Sequence, residues 1–391
     1  MSEPSFEEAV VALRHAVWSD GKDARAFVAG QDPSGLLIVR IETKEAEFTL
    51  KVPDLNMLQA LIGPQLAAPR DAVPLPYRPR TFARPAVNEH PVVDSTVVML
   101  AGTKAQHNET IEAMQLQRLT VAGYTCRGPT LAAQGLEYKS YNEDSLVLRA
   151  RVVSGDRQAV AIGAFDQAGG EGSKDGEPGS GSEAGAKAFA AAIHEIEEGH
   201  DPEDVLRDAA TIGDAAVRRL GVGAVSTMAV AIVVADKDSI TAYVLNCGDS
   251  RVVHAGADGT MKNATVLHNM GFRVSRGEHV EIPRALALHF AAGLTRGLGA
   301  EDVTPDYYEW KLAPGDRLIV ATDGLGDCHE LEEMPIGEWH AEQCAEQCAR
   351  IAASATDASD AVVSLAGYAL DQASDRRGKP DNLAVGVIVV K

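Results

Sequence analysis

The sequence predicts an α+β protein in which antiparallel sheets pack together with helices outside, preceded by a small α+β module. The first observation is a series of β-rich apolar runs from about residue 118: LTVAGYTC, SLVLRARVV, AVAIGAFD, TMAVAIVVAD, ITAYVLNCGD, RVVHAG, RLIVATD and LAVGVIVV, each bounded by Gly, Asp or Asn. The second is that many neighbouring runs are joined by short turns, such as Asp236 to Ser239. Hairpins imply antiparallel pairing, and the strict strand–helix alternation of a doubly wound sheet is absent. The third is that several runs are apolar on both faces, so both faces must be covered. The helical patterns at 183–198, 203–219, 338–354 and 359–372 supply that cover.

The elements before residue 118 differ in texture. In SFEEAVVALRHAV the apolar residues fall at helical spacing, and Ser5 with Glu8 resembles a capping box. LLIVRIET and EAEFTLKV, parted by a short polar turn, read as a β-hairpin. DLNMLQALIGPQL reads as a helix with Asp54 as N-cap. Residues 1–66 therefore form a compact module, to which its position suggests a regulatory role. Residues 67–117 read as a linker and lead-in. APRDAVPLPYRPRTFARPAVNEHP carries six prolines and no steady period, so it reads as a solvated, extended segment. Its Arg70, Arg78, Arg80 and Arg84 could meet an acidic surface, including the protein's own. The glycine-rich EGSKDGEPGSGSEAG at 171–185 lacks the spacing of a phosphate-cradling loop and reads as a flexible surface loop.

Composition narrows the function classes. Of 391 residues, 45% are apolar, which is ample for a packed core and excludes wholesale disorder. Lys plus Arg is 36 against 56 Asp plus Glu, giving a net charge of −20. Such a chain is not attracted to nucleic acid or to an anionic membrane. No apolar run approaches the roughly 20 residues that span a bilayer, and MSEPSFEEA lacks the pattern of a secretory signal. The cysteines number five, with no CxxC pair, which fits reduced thiols and a cytoplasmic location. Cys344 and Cys348 lie four apart, which reads as a buried helix face before a zinc half-site.

Chemistry collects where aspartates bound strands. Asp166 ends AVAIGAF, Asp249 ends ITAYVLNCG, Asp323 ends DRLIVAT, Asp381 precedes the last strand, and Asp144 precedes SLVLRA. Any one of these suits a turn. If sheet ends bring several together, the crowded carboxylates raise one another's pKa unless counter-charge is supplied. All-oxygen donor sets suit Mg²⁺ or Mn²⁺.

The ordered series NED (142–144), FDQAGG (165–170), STMAVAIV (226–233), NCGDSR (246–251), LTRGLG (294–299), LAPGDRLIVATDGLGD (312–327) and DN (381–382) resembles the metal-dependent protein phosphatase family, the protein phosphatase 2C type, over residues 118–391. The resemblance implies a four-layer α-β-β-α sandwich of two antiparallel sheets flanked by helices. It implies a serine/threonine protein phosphatase that uses two Mn²⁺ or Mg²⁺ ions, with a weaker third, to activate water. By position Asp166 would bridge both metals, the backbone carbonyl of Gln167 would bind one, and Asp323 and Asp381 would complete the other. Glu143 and Asp144 would act through waters, and Asp249 would serve the third site with Asp323. The implied partner is a phosphorylated protein that a Ser/Thr kinase has modified.

The chain departs from that pattern at three positions. Gln167 stands where the family has glycine, and its Cβ narrows the backbone conformations open to a carbonyl ligand. Ala168 stands where many members carry a histidine thought to act as general acid. Lys139 stands where an arginine typically grips the substrate phosphate, and it offers a point charge without the bidentate fork. These departures motivate an alternative, a pseudophosphatase that binds a phosphoprotein or partner without turnover. In TVLHNMG (265–271), His268 reads as a turn residue that could reach substrate, and Arg296 of LTRGLG reads as structural.

Overall fold

A computed structural model describes residues 24–31, 37–43, 47–52, 77–80, 82–92, 94–100, 110–128, 142–154, 157–168, 180–193, 200–221, 223–269, 293–327, 338–374 and 381–391. The first strands, β1 (Ala24–Gln31), β2 (Leu37–Thr43) and β3 (Glu47–Val52), form an antiparallel three-stranded sheet in that order. The expected hairpin is β2–β3. Strand β1 was not anticipated, because its register shift between Val28 and Gly30 breaks the period of two. The helices expected in 5–17 and 54–66 lie outside the described residues.

The strands that follow are β4 (Ala86–His90), β5 (Ser95–Leu100), β6 (Thr110–Gln115), β7 (Leu119–Cys126), β8 (Ser145–Ser154), β9 (Arg157–Phe165), β10 (Gln167–Ala168), β11 (Val225–Ser226), β12 (Met228–Ala235), β13 (Ile240–Cys247), β14 (Arg251–Ala255), β15 (Met261–Ala264), β16 (Asp306–Lys311), β17 (Arg317–Ala321) and β18 (Leu383–Val390). The helices are α1 (Ser180–Ala192), α2 (Pro202–Arg218), the short α3 (Gly324–Asp327), α4 (Glu338–Ser354) and α5 (Ala358–Ser374). One large sheet runs β16-β13-β12-β9-β8-β5 and the other β15-β14-β17-β18-β7-β6-β4. All pairs in them are antiparallel except β4 with β6, which is parallel. No helix among the described residues is long and apolar enough to cross a membrane.

Three apolar clusters separate four layers. Strand β12 shows why its sequence is apolar throughout. Ala229, Ala231, Val233 and Ala235 face the other sheet, while Val230, Ile232 and Val234 face α1 and α2. Strand β18 divides in the same way, with Ala384, Ile388 and Val390 between the sheets and Leu383, Val385, Val387 and Val389 against α4 and α5. The period of two assigns each residue to a layer. Gly386 lets the sheets approach closely, since a Cβ there would meet Ile162 Cδ1 at 2.3 Å. Helix α2 begins as its sequence predicts, with the Asp201 carboxylate accepting from the Glu203 N–H and Pro202 in the first turn. Cys344 and Cys348 sit on the buried face of α4, as the helix-face reading expects, and burial pushes the Cys348 thiol up to about 12.

The stretch expected to be a solvated linker is largely built into the fold. Residues 86–115 supply β4, β5 and β6 to the two large sheets. Residues 77–80 and 82–84 lie along α5. Tyr77 stacks edge-on against Tyr368 at 5.1 Å, and Phe82 against Tyr124 at 5.6 Å. Pro79 fills the space over Gly367, where a Cβ would meet its ring at 2.2 Å. Tyr77 Oη and the Arg80 N–H both donate to the fully buried Asp371 carboxylate, and Arg84 pairs with Asp360 at 2.6 Å. This stretch thus makes a strap, because the acidic surface that Arg80 and Arg84 meet is the protein's own; Arg70 lies outside the described residues. Likewise, the expected loop 171–185 gives way at residue 180 to the first turn of α1.

Candidate functional site

Strand register alone brings the sequence-selected carboxylates to one end of the sandwich. Ser145 pairs with Phe165, so Asp144 before β8 and Asp166 after β9 leave the sheet side by side. Met228 pairs with Cys247, which puts the Gly248–Asp249 turn at the same end. In the other sheet Ala321 pairs with Val385 and Leu383 pairs with Cys126, so Asp323 after β17 and Asp381 before β18 leave together.

Asp144 stands at the middle of this group and is 1% exposed. Burial raises its pKa most, the charges of Asp323 and Asp381 raise it further, and the result is about 8. The hydrogen bond from Thr322 Oγ1 at 2.6 Å opposes the rise, and the neighbouring Asp166 opposes it to a smaller degree. Asp144, Asp166, Asp323 and Asp381 therefore interact as one set. Among the described residues, no three His, Cys, Asp or Glu side chains form a ready chelating group. The donors are all oxygen, and they are crowded enough to hold a proton that a hard divalent cation would displace.

The supports of these carboxylates were not read from the sequence. Thr227 Oγ1 accepts the Asp166 N–H at 2.9 Å and pairs with Ser250 Oγ at 2.5 Å. Asn382 Oδ1 accepts the Glu143 N–H at 3.0 Å, and its amide donates to the Arg127 carbonyl at 3.0 Å. The Asn382 N–H donates to Asp381 Oδ1 at 2.8 Å. Ser182 of α1 donates to the Glu143 carbonyl at 2.5 Å. The signal available was that a hydroxyl or amide neighbours each strand-end aspartate, as in TDG and DN.

Two glycines close on the Asp381–Asn382 segment. A Cβ on Gly128, whose φ is +86°, would lie 2.0 Å from the Asp381 carbonyl oxygen. A Cβ on Gly324 would lie 1.8 Å from that of Asn382. Glycine is required at both places because backbone meets backbone.

Gln167 is 6% exposed and forms an extended bridge with Ser226. Its side-chain Oε1 accepts the Gly181 N–H at 2.8 Å, one of the orphan donors of the first turn of α1. The extra side chain thus caps a helix, and the extended backbone is open to any L-residue. Asp249 is 9% exposed and Glu143 8%. Lys139 lies outside the described residues. His268 is not at a free turn: it is 3% exposed and hydrogen-bonded to Asp306, which also binds Arg296.

No family model matches the chain, and no curated protein sequence matches it. Solved structures do. The S. agalactiae serine/threonine phosphatase is 19% identical with a TM-score of 0.51, and the match covers 70% of this chain and 100% of that one. The Mycobacterium smegmatis PPM Ser-Thr phosphatase MsPP, in complex with cacodylate, is 24% identical with a TM-score of 0.46, covering 71% and 100%. The catalytic domain of the serine threonine protein phosphatase PstP, in complex with two manganese ions, is 21% identical with a TM-score of 0.42, covering 70% and 98%. Layer order, register and structural likeness agree: the chain is built on the PPM-type serine/threonine phosphatase fold that its ordered motifs resemble.

Proposed function

We propose that this protein is a metal-dependent phosphatase acting on phosphoserine and phosphothreonine in proteins. The observation that carries the reading is the set of carboxylates around Asp144, drawn from four chain segments onto one end of two sheets. Crowded, partly buried carboxylates cost stability unless they hold protons or cations, and a fold keeps such a set where the chemistry needs it. The phosphatase fold gives the reading its substrate class.

Asp166, the Gln167 carbonyl, Asp323 and Asp381 would hold two Mn²⁺ or Mg²⁺ ions, and Asp249 with Asp323 a weaker third. Bound there, paired ions supply an activated water and neutralise charge on the phosphoryl oxygens. The chain's own residues do the positioning. Thr227 and Ser250 fix the start of the Asp166 turn, and Thr322 orients Asp144. Asn382 ties Glu143 to the Asp381 segment, so both sides of the site move together. Lys139 is the proposed contact for substrate phosphate. The substrate would be the product of a Ser/Thr kinase, and the N-terminal module, 1–66, would direct or regulate the domain that follows.

The test is hydrolysis of p-nitrophenyl phosphate and a phosphothreonine peptide with Mn²⁺, Mg²⁺ or EDTA, for wild type and Asp323→Asn. Turnover that requires metal and falls at least ~100-fold in the variant supports the reading. Absence of turnover with every metal, in folded protein that still binds the phosphopeptide, would replace it with the pseudophosphatase.

A further inference from the structure

His268 has every polar atom engaged, and two of its four bonds grip a single residue, Gly248. Its main-chain N–H donates to the Gly248 carbonyl at 3.0 Å, and the Gly248 N–H donates back to His268 Nδ1 at 3.1 Å. Its own carbonyl accepts from the Thr295 N–H at 2.8 Å. A backbone N–H can only donate, so Nδ1 carries no proton and the neutral ring has its proton on Nε2. Nε2 then donates to Asp306 Oδ2 at 3.0 Å. Arg296 Nη1 holds the other oxygen of Asp306 at 3.0 Å. Its 3.3 Å approach to Nε2 brings two donors together in this tautomer and is not a hydrogen bond. Burial lowers the imidazole pKa against the opposing pull of Asp306, in keeping with a neutral ring.

The peptide so gripped matters for the site. Gly248 has φ +118°, and a Cβ there would lie 2.7 Å from Thr227 Cβ. The next residue is Asp249. Beyond it, Ser250 pairs with Thr227, whose hydroxyl takes the Asp166 N–H. A continuous path of bonds therefore runs from Arg296 and Asp306 through His268 to the main chain at Asp249 and Asp166.

We propose that His268 is a positioning residue: its Nδ1, oriented by Asp306 and Arg296, holds the Gly248 peptide in the conformation that presents Asp249 to the cation site. The inference rests on the metal-dependent reading above. It gives His268, Arg296 and Asp306 a grip on the weakest of the proposed cation sites. The same logic governs metal ligands whose orientation is set by a hydrogen-bonded neighbour.

The experiment compares full-length wild type, His268→Asn and His268→Gln by Mn²⁺ titration calorimetry, with thermal melts as the folding control. Asparagine places an acceptor where Nδ1 stands but cannot reach Asp306. Glutamine reaches toward Asp306 but leaves the Gly248 N–H without its acceptor. The weaker Mn²⁺ event should lose roughly 10–100-fold in affinity in the Gln variant and at most about 3-fold in the Asn variant. A packing role would change both alike. Separately, ¹⁵N spectra of histidine-labelled wild type should show Nδ1 unprotonated and Nε2 protonated. Equal effects of the two variants, no effect of either, or a protonated Nδ1 would overturn the proposal. Wild type that binds no Mn²⁺ would overturn the phosphatase reading along with it, whereas Mn²⁺-binding wild type with indifferent variants sinks the positioning role alone.

Discussion

Replacing Gly324 by alanine sets two known effects against each other. Gly324 opens α3 and is not among the glycines with positive φ, so alanine meets no backbone strain there. Helix propensity alone would favour alanine by about 1 kcal/mol. The new Cβ, however, would stand 1.8 Å from the Asn382 carbonyl oxygen and 2.9 Å from its carbon. Reaching an ordinary contact of about 3.5 Å needs a shift of roughly 1.7 Å. The obstacle is backbone, and Asn382 is bonded to Glu143 and Arg127, so it cannot swing aside as a side-chain tip would. Overpacking of this kind costs ~3 kcal/mol, the upper end of its usual range. The net loss is then about 2 kcal/mol, or roughly 3–4 °C in melting temperature for a domain of this size. The shift also separates Asp323 from Asp381, and ~1 Å of misplacement at a reacting centre costs on the order of 100-fold in rate. Gly326→Ala is the control, because it lies in the same short helix with nothing within 4 Å of the added atom. Calorimetric melts and metal-dependent phosphatase assays on both variants decide the matter. A Gly324→Ala protein as stable and active as wild type, or a Gly326→Ala protein equally damaged, would refute the steric reasoning.

Two further outcomes follow from the same contacts. Tyr77→Phe deletes one donor to the fully buried Asp371 and should cost ~1–3 kcal/mol, read from urea midpoints, with faster proteolysis near residues 67–92; an unchanged midpoint and cleavage rate would mean the strap is held otherwise. Asp144 has a folded pKa of about 8 against the ordinary aspartate value of 3.8, so the metal-free folded state binds more protons in that window, and its contribution to stability is full below pH 4 and lost as pH rises through 8. In EDTA the urea midpoint should fall between pH 5 and pH 8, less steeply in Asp144→Asn, and Mn²⁺ should restore it at pH 8; identical slopes for the two proteins would exclude Asp144 as the source.

The sequence was most legible where burial leaves no choice. Strands β12 and β18 are apolar at every position because each face lies in a different cluster, so their runs could not be mistaken. The edge strand β4 and its neighbour β6 were not legible. AVNEH of β4 is largely exposed and TIEAMQ of β6 has no clear alternation, and both sit in proline-rich or polar surroundings that read as linker. Their strand state comes from pairing with β7 and with each other, which no local pattern records. The strap was illegible for a similar reason: Tyr77, Pro79 and Phe82 mean little without Tyr368, Gly367 and Tyr124 beneath them. At the site, the aspartates stood out because each bounds an apolar run, before or after it. Thr227 and Thr322 did not, and His268 read only as a turn residue, because their roles exist only once the register is fixed.

Thr322 shows how closely fold and site depend on one another. Its main-chain N–H donates to the Ala384 carbonyl at 3.0 Å, and its Oγ1 accepts the Ala384 N–H at 2.9 Å. The hydroxyl proton goes to Asp144 Oδ2, which belongs to the other sheet. One side chain therefore closes the end of the β17–β18 ladder and bridges the sandwich at the carboxylates. A one-residue slip of β17 against β18 would turn its apolar set to the wrong face. It would also take Thr322 off Ala384 and Asp144, and carry Asp323 away from Asp381. The interactions that specify the register are thus the ones that assemble the site, and no separate device is needed to bring carboxylates from distant parts of the chain together.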